Sequence, residues 1–477
     1  MSTEIKKIAS NGFWLFLAEI SNSLIGFVVA IYLARDLGSN GYGILGFAIS
    51  LVTMFSILVD AGLNILSVRE IAKDKSKLGY FIKNSSYLRL SISLLVLILL
   101  IAVAILMGKN SEIIYLVIIL GLWMVANSLA GLFHSAFRAL QKMQYEALAK
   151  IIQAIVFLGG ILIIVYFSGS LLKIGGIYLL SALVGLGVSL IFYKIKAPKY
   201  QAQVSLAEMK KIISLAWPFA VTFIFVNLYY YIDSILLSYF QDNQTVGYYT
   251  AAYKIILLLI TVRTLLTGAI FPSLTQAWQI STSKVKELLE IFEKLSITLI
   301  TPIVVGGIIL AQPIIILIFG DEFIRAYLPF SILLIGIGVM YINLLLPDTL
   351  LVMDKQKTVM WVFMISAIFN LIANLLLIPY WGMTGAALTT VISELIIFWA
   401  FYFYLKKIIK FKLFTFLPKP LIASAGMGVV IYLLQPQLHV IWLIIIGAII
   451  YTGLIILIGG ISLDFIKLNI RLIKKHD

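Results

Sequence analysis

The chain has 477 residues, of which 62% are hydrophobic and 12% are charged, with a net charge of +15 and a mean hydropathy of +1.08. A soluble domain is about half apolar and a quarter charged, so this composition excludes a soluble protein. Cysteine is absent and the three histidines are scattered, which excludes a disulfide framework, a thiolate metal site and a histidine-based catalytic cluster. The composition is that of a polytopic membrane protein, and its basic residues lie between the apolar runs.

The apolar runs predict fourteen transmembrane helices, because about 20 apolar residues are needed to cross the hydrocarbon core of a bilayer. The first run is long enough to span and carries no small-residue cleavage pattern, so it is interpreted as a span and not as a signal peptide. The predicted spans are 12–34, 42–66, 82–107, 113–137, 147–168, 174–194, 212–239, 247–271, 294–319, 326–353, 357–379, 383–405, 417–435 and 440–462.

The distribution of lysine and arginine predicts the orientation of these spans. Most of the 36 basic residues lie at the termini or in every second connection. The opposite connections contain only Arg35, Lys109, Lys173 and Arg325. By the positive-inside rule, both termini are expected in the cytoplasm, with the protein in the plasma membrane. The positive charge is therefore a topology signal and does not indicate a nucleic-acid partner.

Two halves of the chain repeat each other. Gly41-Tyr42 aligns with Gly247-Tyr248, and "AIVFLGGILIIVYF" (154–167) aligns without gaps with "AIFNLIANLLLIPY" (367–380). In the same register as the second pair, Gln141 falls on Asp354. Each half has six spans, so both halves point the same way. The predicted fold is thus all-α, with two parallel six-helix repeats, two further C-terminal helices and a substrate path between the halves.

Six segments follow from this repeat, in chain order. The predicted organisation is an N-terminal six-helix lobe (1–196), a basic cytoplasmic linker (197–211), a C-terminal six-helix lobe (212–405), a second basic linker (406–419), helices 13 and 14 (417–462) and a cytoplasmic tail (463–477).

Three motifs resemble a known family. They are "LARDLGSNGYGILGF" (33–47), "PIIILIFGDEFIRAYLPFSIL" (313–333) and "NLIANLLLIPYWGMTGAALTTVISE" (370–394). Together with the fourteen spans, they are similar to the polysaccharide-biosynthesis flippases of the multidrug/oligosaccharidyl-lipid/polysaccharide (MOP) exporter superfamily. The resemblance implies export of polyprenyl-(di)phosphate-linked oligosaccharide from the cytoplasmic to the outer leaflet, by alternating access and without enzymatic activity.

Charged residues inside the spans are the candidate functional residues, because charge in the bilayer core is costly and usually faces a cavity or a partner. Cationic side chains suit a diphosphate headgroup, and guanidinium binds it with two parallel hydrogen bonds. The candidates for substrate binding are Arg263, Lys254, Arg138 and Asp348, the last as the counter-charge of Arg263. The candidates for coupling or gating are Glu19, Asp233 and Glu394.

Two of these residues are expected to pair with each other. Asp233 and Lys254 lie at similar distances from the turn at Asp242–Asn243, so we predict an ion pair between them. We predict no catalytic residue, no metal site and no cofactor other than a coupling H⁺ or Na⁺. The expected partners are the lipid-linked substrate and membrane lipids, with the protein acting as a monomer.

Three alternative functions are compatible with parts of this pattern. A MATE-like drug or cation antiporter of the same superfamily has twelve helices and usually a more acidic cavity. A lipid II flippase also has fourteen spans, but span 1 here contains Glu19 and no arginine in its membrane portion. A membrane-embedded glycosyltransferase or polymerase needs large extramembrane loops with a paired-carboxylate or nucleotide-binding motif. The sequence contains no such loop, so this alternative is rejected.

Overall fold

The computed structural model describes residues 3–167, 169–198 and 203–460, with side chains in these ranges except at 3–9, 217–219 and 221–223. The described part of the chain is helical and contains no strand. The helices are α1 (Thr3–Asp60), α2 (Leu63–Lys73), α3 (Leu78–Leu106), α4 (Ser111–Ala139), α5 (Met143–Tyr166), α6 (Leu171–Lys196), α7 (Leu206–Phe240), α8 (Asn243–Ile280), α9 (Thr282–Ile309), α10 (Ala311–Phe319), α11 (Tyr327–Ile342), α12 (Leu346–Val352), α13 (Gln356–Lys406), α14 (Pro418–Leu434) and α15 (Val440–Leu457).

Two of these helices are broken within their length, and each is long enough to cross a membrane twice. With 58 residues, α1 would be about 87 Å long if it were straight, well over twice the thickness of the hydrocarbon core. It is broken at Gly38, whose φ of 63° belongs to the left-handed region. The 51-residue α13 is broken in the same way at Gly382, with φ 52°. Both breaks lie in the turns that the sequence predicted.

The described helices agree with the fourteen predicted spans. Ten stretches of helix are long and apolar enough to cross a membrane, and those that contain α1 and α13 hold two spans each. The ninth predicted span is the pair α9 and α10, which is bent by 81°. The apolar part of α7 accounts for the seventh. The protein is thus an all-α polytopic membrane protein, as predicted.

The backbone supports the alignment of Gln141 with Asp354. Both residues have a positive φ, 55° and 58°, which is uncommon for residues other than glycine. Each lies two residues before the start of a long helix, at Met143 and Gln356. The two halves of the chain therefore use the same tight turn at corresponding positions.

The chain forms two compact units. The first comprises residues up to Lys254 together with Asn374–Gly382, and the second comprises Ile255–Ala373 and the residues from Met383 onward. The core of the first unit includes a cluster around Leu66, Leu132 and Phe137. The second unit has one apolar cluster that joins α8, α9 and α13, and another that joins α9, α14 and α15. The predicted lobe boundaries remain predictions, and both the tail 463–477 and residues 199–202 of the first linker lie outside the described residues.

Large apolar side chains on the outside of the helices are consistent with contact with lipid. In α3, Leu94, Leu95 and Ile98 are about three-fifths exposed, and similar side chains line α14 and α15. A water-soluble monomer rarely exposes apolar area this continuous. Burial in the bilayer removes the cost of that exposure.

The break in α13 leaves backbone carbonyl groups without their helical partners, and a side chain from a neighbouring turn binds them. Gln241 donates from Nε2 to the carbonyl oxygens of Ile378 and Pro379, at 3.0 and 3.4 Å. A kink at Gly382 removes the amide groups that would otherwise bond to these carbonyls. Gln241 therefore stabilises this end of α13.

Replacing Gln241 by leucine is expected to lower the free energy of unfolding by about 1–3 kcal/mol, because the carbonyl groups of the buried Ile378 and the half-buried Pro379 lose their donor. Thermal unfolding of the purified protein in detergent measures the change. Gln244→Leu is the matched control, since Gln244 lies in the same turn and is exposed. An equal shift in both variants would contradict the assigned role of Gln241.

Candidate functional site

The turns that repeat in the sequence pack against each other in the first compact unit. A Cβ atom on Gly43 would collide with the carbonyl oxygen of Asn243, and a Cβ atom on Gly247 would collide with the carbonyl oxygen of Ser39. The contacts are reciprocal, as expected when two copies of one motif meet across an approximate twofold axis. The residue opposite Gly247 is Gly43, two positions after the Gly41 of the sequence alignment. Only glycine allows these two backbones to approach so closely.

We call this contact between the two turns the outer seal and define it as Ser39–Gly46 together with Asn243–Thr250. Further contacts strengthen it. The side of Gly46 where a Cβ would lie is occupied by the side chain of Thr250. Next to the seal, Lys109 donates to the hydroxyl and carbonyl oxygens of Ser238, at 2.8 and 2.6 Å. The charge pattern predicts that all of these residues lie at the outer ends of the spans.

Asp233 lies in a buried polar group just below the outer seal. Its carboxylate accepts hydrogen bonds of 2.6 Å from the hydroxyl of Tyr249 and from the side-chain amide of Asn374. All three residues are at most 3% exposed. Because hydrogen bonds to a carboxylate are stronger than neutral ones, this group holds together α7, α8 and the end of the first span in α13.

The predicted ion pair between Asp233 and Lys254 is wrong. Lys254 forms no ion pair or hydrogen bond within the described residues, and its side chain is half-buried. The prediction assumed that equal distances from the turn at Asp242–Asn243 bring two side chains together. Equal depth does not fix the direction in which a side chain points, and Tyr249 and Asn374 occupy the carboxylate instead.

Arg138 belongs to an ion cluster where α1, α4 and α5 meet. Its Nε and one Nη bind the two carboxylate oxygens of Glu146, at 2.8 and 2.6 Å. Lys150 lies 3.1 Å from Glu146 and 3.9 Å from Glu19. Glu146 is fully buried, whereas the side chain of Glu19 is 53% exposed. Because Glu146 already binds Nε and one Nη of Arg138, a diphosphate can contact only the remaining side of the guanidinium group.

Arg263 lies in the second compact unit, beside a break in the tenth predicted span. Its Nε donates to the carbonyl oxygen of Met340 at 3.0 Å. The break separates α11 from α12 at residues 343–345, and Ser296 satisfies the next carbonyl, that of Tyr341, at 2.7 Å. Non-helical backbone at membrane depth is tolerated where protein groups satisfy it, as these two side chains do here. Broken helices of this kind often mark binding sites in transporters.

Asp348, the predicted counter-charge of Arg263, does not contact it directly. Among the described residues, Arg263 forms no ion pair with Asp348 or with Glu394. Asp348 is half-buried at the start of α12. Glu394 is 3% exposed on α13, one residue after Ser393, whose hydroxyl accepts a hydrogen bond from Asn370.

Glu293 is a buried carboxyl group that the sequence prediction missed. It is 1% exposed on α9, and neither carboxylate oxygen accepts a hydrogen bond of good geometry within the described part of the chain. Glu293 lies on the buried stripe Val285, Leu289, Glu293 and Ile297, and that i, i+4 spacing is a signal that could have identified it.

Arg89 is the centre of a further buried charge network in the first unit. It is 1% exposed and binds Asp60 and Asn64 at 2.7 and 2.9 Å. It also donates to the hydroxyl of Ser128 at 3.0 Å and to its carbonyl oxygen. Asp60 is the last residue of α1, directly before the left-handed Ala61 and Gly62. The network fixes the break between α1 and α2.

Replacing Asp60 by asparagine is expected to lower the free energy of unfolding by about 3 kcal/mol or more, because it leaves the buried Arg89 without its counter-charge. Lys284→Gln is the control: Lys284 forms an exposed pair with Glu287, whose loss should cost less than about 1 kcal/mol. Thermal unfolding in detergent compares the two variants. A shift for Asp60→Asn no larger than the control would show that Arg89 is not held by this pair.

Intramembrane charges, a broken span and two repeated turns that pack on each other define a polytopic α-helical protein with the architecture of a transporter. The model of the family described as "Polysaccharide biosynthesis protein" matches residues 8–278. The chain belongs to this family.

The chain is similar over most of its length to individual known proteins. The "Putative O-antigen transporter" of Shigella dysenteriae is 25% identical over 397 residues, which are 80% of this chain and 96% of that protein. The "Probable low-salt glycan biosynthesis flippase Agl15" of Haloferax volcanii is 25% identical over 403 residues, 81% of each chain. The solved structure of the lipid II flippase MurJ in an inward closed conformation covers 92% of this chain and 97% of its own, with a TM-score of 0.76 and 19% identity. That last similarity concerns the fold alone.

Proposed function

We propose that this protein is a flippase that moves polyprenyl-(di)phosphate-linked oligosaccharide from the cytoplasmic to the outer leaflet of the plasma membrane. It works as a monomer by alternating access, with both termini in the cytoplasm, and supplies cell-surface polysaccharide or glycan assembly. Membership of the polysaccharide biosynthesis family and the two relatives named as an O-antigen transporter and a glycan biosynthesis flippase support this substrate class.

The observation that carries the mechanism is the outer seal. The turn between the first two spans and the turn between α7 and α8 meet through Gly43 and Gly247, with no side chain between the backbones. In the proposed cycle the seal is closed while substrate enters from the cytoplasm, and it opens to release substrate into the outer leaflet.

Arg263 is the residue proposed to hold the diphosphate during the crossing. Its Nε is fixed by the carbonyl of Met340, which leaves the two terminal nitrogens of the guanidinium for a phosphate group. Asp348 is proposed as its counter-charge when no substrate is bound. Lys254 and Arg138 are proposed as secondary cations along the path.

The coupling ion is proposed to be H⁺ or Na⁺, bound by intramembrane carboxyl groups. Asp233 is the strongest candidate because it is buried and joins three spans next to the outer seal. Binding of the ion to Asp233 would therefore act directly on the contacts of the outer seal. Glu19 and Glu394 are the other proposed coupling or gating residues.

Arg263→Lys is expected to lower transport by about tenfold or more while the protein still folds. An ammonium group cannot hold Met340 and also offer two parallel donors to a diphosphate. Arg325→Lys is the matched control, because Arg325 is exposed and lies in an outer connection. Transport is measured in liposomes with a polyprenyl-diphosphate-linked oligosaccharide. Wild-type transport by Arg263→Ala would reject the assignment of the diphosphate site.

A further inference from the structure

A cavity lies inside the first compact unit, enclosed by α1, α4, α5 and α6. Its volume is about 160 Å³ and it is partly open. The residues that line it and that matter below are Asn22, Trp123, Gln153, Phe157, Tyr178 and Ser181. A cavity of similar size in another protein holds one benzene ring, so this one has room for a single six-membered ring whose substituents extend through the opening.

Aromatic rings form one wall of this cavity. Tyr178 meets Phe157 and Trp123 edge-on, with ring centroids 4.5 and 5.7 Å apart. Such a wall offers flat, electron-rich faces together with polar tips, the hydroxyl of Tyr178 and the indole N–H of Trp123. Neither tip has a hydrogen-bond partner within the described residues.

An amide side chain that is held in a fixed orientation also lines the cavity. Gln153 donates from Nε2 to the side-chain oxygen of Asn127 at 3.0 Å, and its Oε1 lies against Gly185, where a Cβ atom would collide with it. Gln153 is therefore held from both sides before any ligand arrives. Asn22 adds a second amide from α1, and it has no hydrogen-bond partner among the described residues. Amides, a hydroxyl and an indole N–H together match a ligand rich in hydroxyl groups.

The cavity adjoins the ion cluster of Arg138, Glu146, Lys150 and Glu19. On α5, Gln153 is one turn beyond Lys150, and on α1, Asn22 is one turn beyond Glu19. Two basic side chains therefore lie within one to two helical turns of a pocket for a single polar ring. An anionic group joined to that ring would reach the cations while the ring occupies the cavity.

We propose that this cavity binds the sugar ring attached directly to the diphosphate of the lipid-linked substrate at the first stage of the cycle, with the diphosphate next to Lys150 and Arg138 before Arg263 takes it for the crossing. The proposal rests on the proposed function and adds a subsite that recognises the first sugar. Apolar C–H faces of the ring stack on Trp123 and Phe157, and its hydroxyl groups bond to Gln153, Asn22 and Tyr178. The lipid and the remaining sugars stay outside the cavity.

Binding to the purified full-length protein in nanodiscs tests the proposal. The probes are a short-chain polyprenyl diphosphate without sugar and the same lipid carrying one glucose, galactose or N-acetylglucosamine. The wild type is expected to bind at least one sugar-bearing probe about tenfold more tightly than the bare diphosphate. Trp123→Leu and Asn22→Leu are expected to lose this preference while their affinity for the bare diphosphate stays unchanged.

The control variant is Trp442→Leu, because Trp442 is 60% exposed on α15 in the second unit. Thermal unfolding verifies that each variant is folded, and Asn22→Leu guards against a Trp123 variant that does not fold. A wild type without preference for any sugar, or Trp123 and Asn22 variants that keep it, would overturn the proposal. Failure of the proposed function gives a different result, namely no binding of any polyprenyl diphosphate probe by the wild type.

Discussion

Replacing Gly43 by alanine is expected to lower transport by about tenfold or more and to leave the outer side of the protein open. The new methyl group would occupy the position of the Asn243 carbonyl oxygen, and a backbone carbonyl cannot turn aside as a side chain does. A loss of about tenfold corresponds to about 1.4 kcal/mol on the free-energy barrier of the transport cycle. Gly247→Ala should have the same effect, because the contact is reciprocal.

Cysteine labelling measures the opening directly, since the natural chain contains no cysteine. Thr250→Cys places a thiol in the outer seal, where Thr250 packs on Gly46. A membrane-impermeant thiol reagent should modify it slowly in the otherwise unchanged protein and faster when Gly43→Ala is added. Gly187→Ala is the control, because no atom lies within 4 Å of the added carbon. Equal labelling and equal transport in the Gly43 and Gly187 variants would show that the turns do not form the seal.

Asp233→Asn is expected to lower transport by about tenfold or more, because it removes the buried charge that accepts hydrogen bonds from Tyr249 and Asn374. Moving the carboxylate from position 233 to the neighbouring side chain at position 374 should restore part of the transport activity. In the exchange variant Asp233→Asn with Asn374→Asp, the carboxylate remains inside the same group and still has an amide donor.

The matched comparison is Asp233→Asn combined with Lys254→Gln. If Lys254 were the partner of Asp233, this combination would recover transport and the exchange variant would not. The hydrogen bonds of Asp233 predict instead that the exchange variant recovers transport and that the combination with Lys254→Gln does not. Transport rates in liposomes, normalised to the amount of folded protein, decide between the two.

Turn chemistry and apolar run length predicted the fold because both are local properties. Gly38 and Gly382 adopt the left-handed conformation that their turns require, and the aligned Gln141 and Asp354 share a positive φ. The repeat was therefore readable from the sequence alone. The contact between Gly43 and Gly247 was not, because the sequence shows that two turns are alike and not that they touch.

The candidate site was predicted less well because side-chain partners depend on helix rotation. Asp233 was singled out by its charge inside a span, but its hydrogen-bond partners come from α8 and from α13, more than a hundred residues away in the second case. Glu146 and Glu293 were assigned to cytoplasmic connections, where charge is ordinary. In the structure both are buried, and Glu146 occupies the fork of Arg138. A span boundary that is wrong by a turn is enough to hide such a residue.

The most direct measurement is translocation of a polyprenyl-diphosphate-linked oligosaccharide by the purified protein in liposomes. The substrate is incorporated in both leaflets, and a membrane-impermeant glycosidase removes the sugar from the outer one. With the protein present, we expect the protected fraction to become accessible, faster for wild type than for Arg263→Ala, whereas a cationic dye is not transported. A protected fraction that stays constant, with transport of the dye down an ion gradient, would contradict the assignment and indicate a drug antiporter.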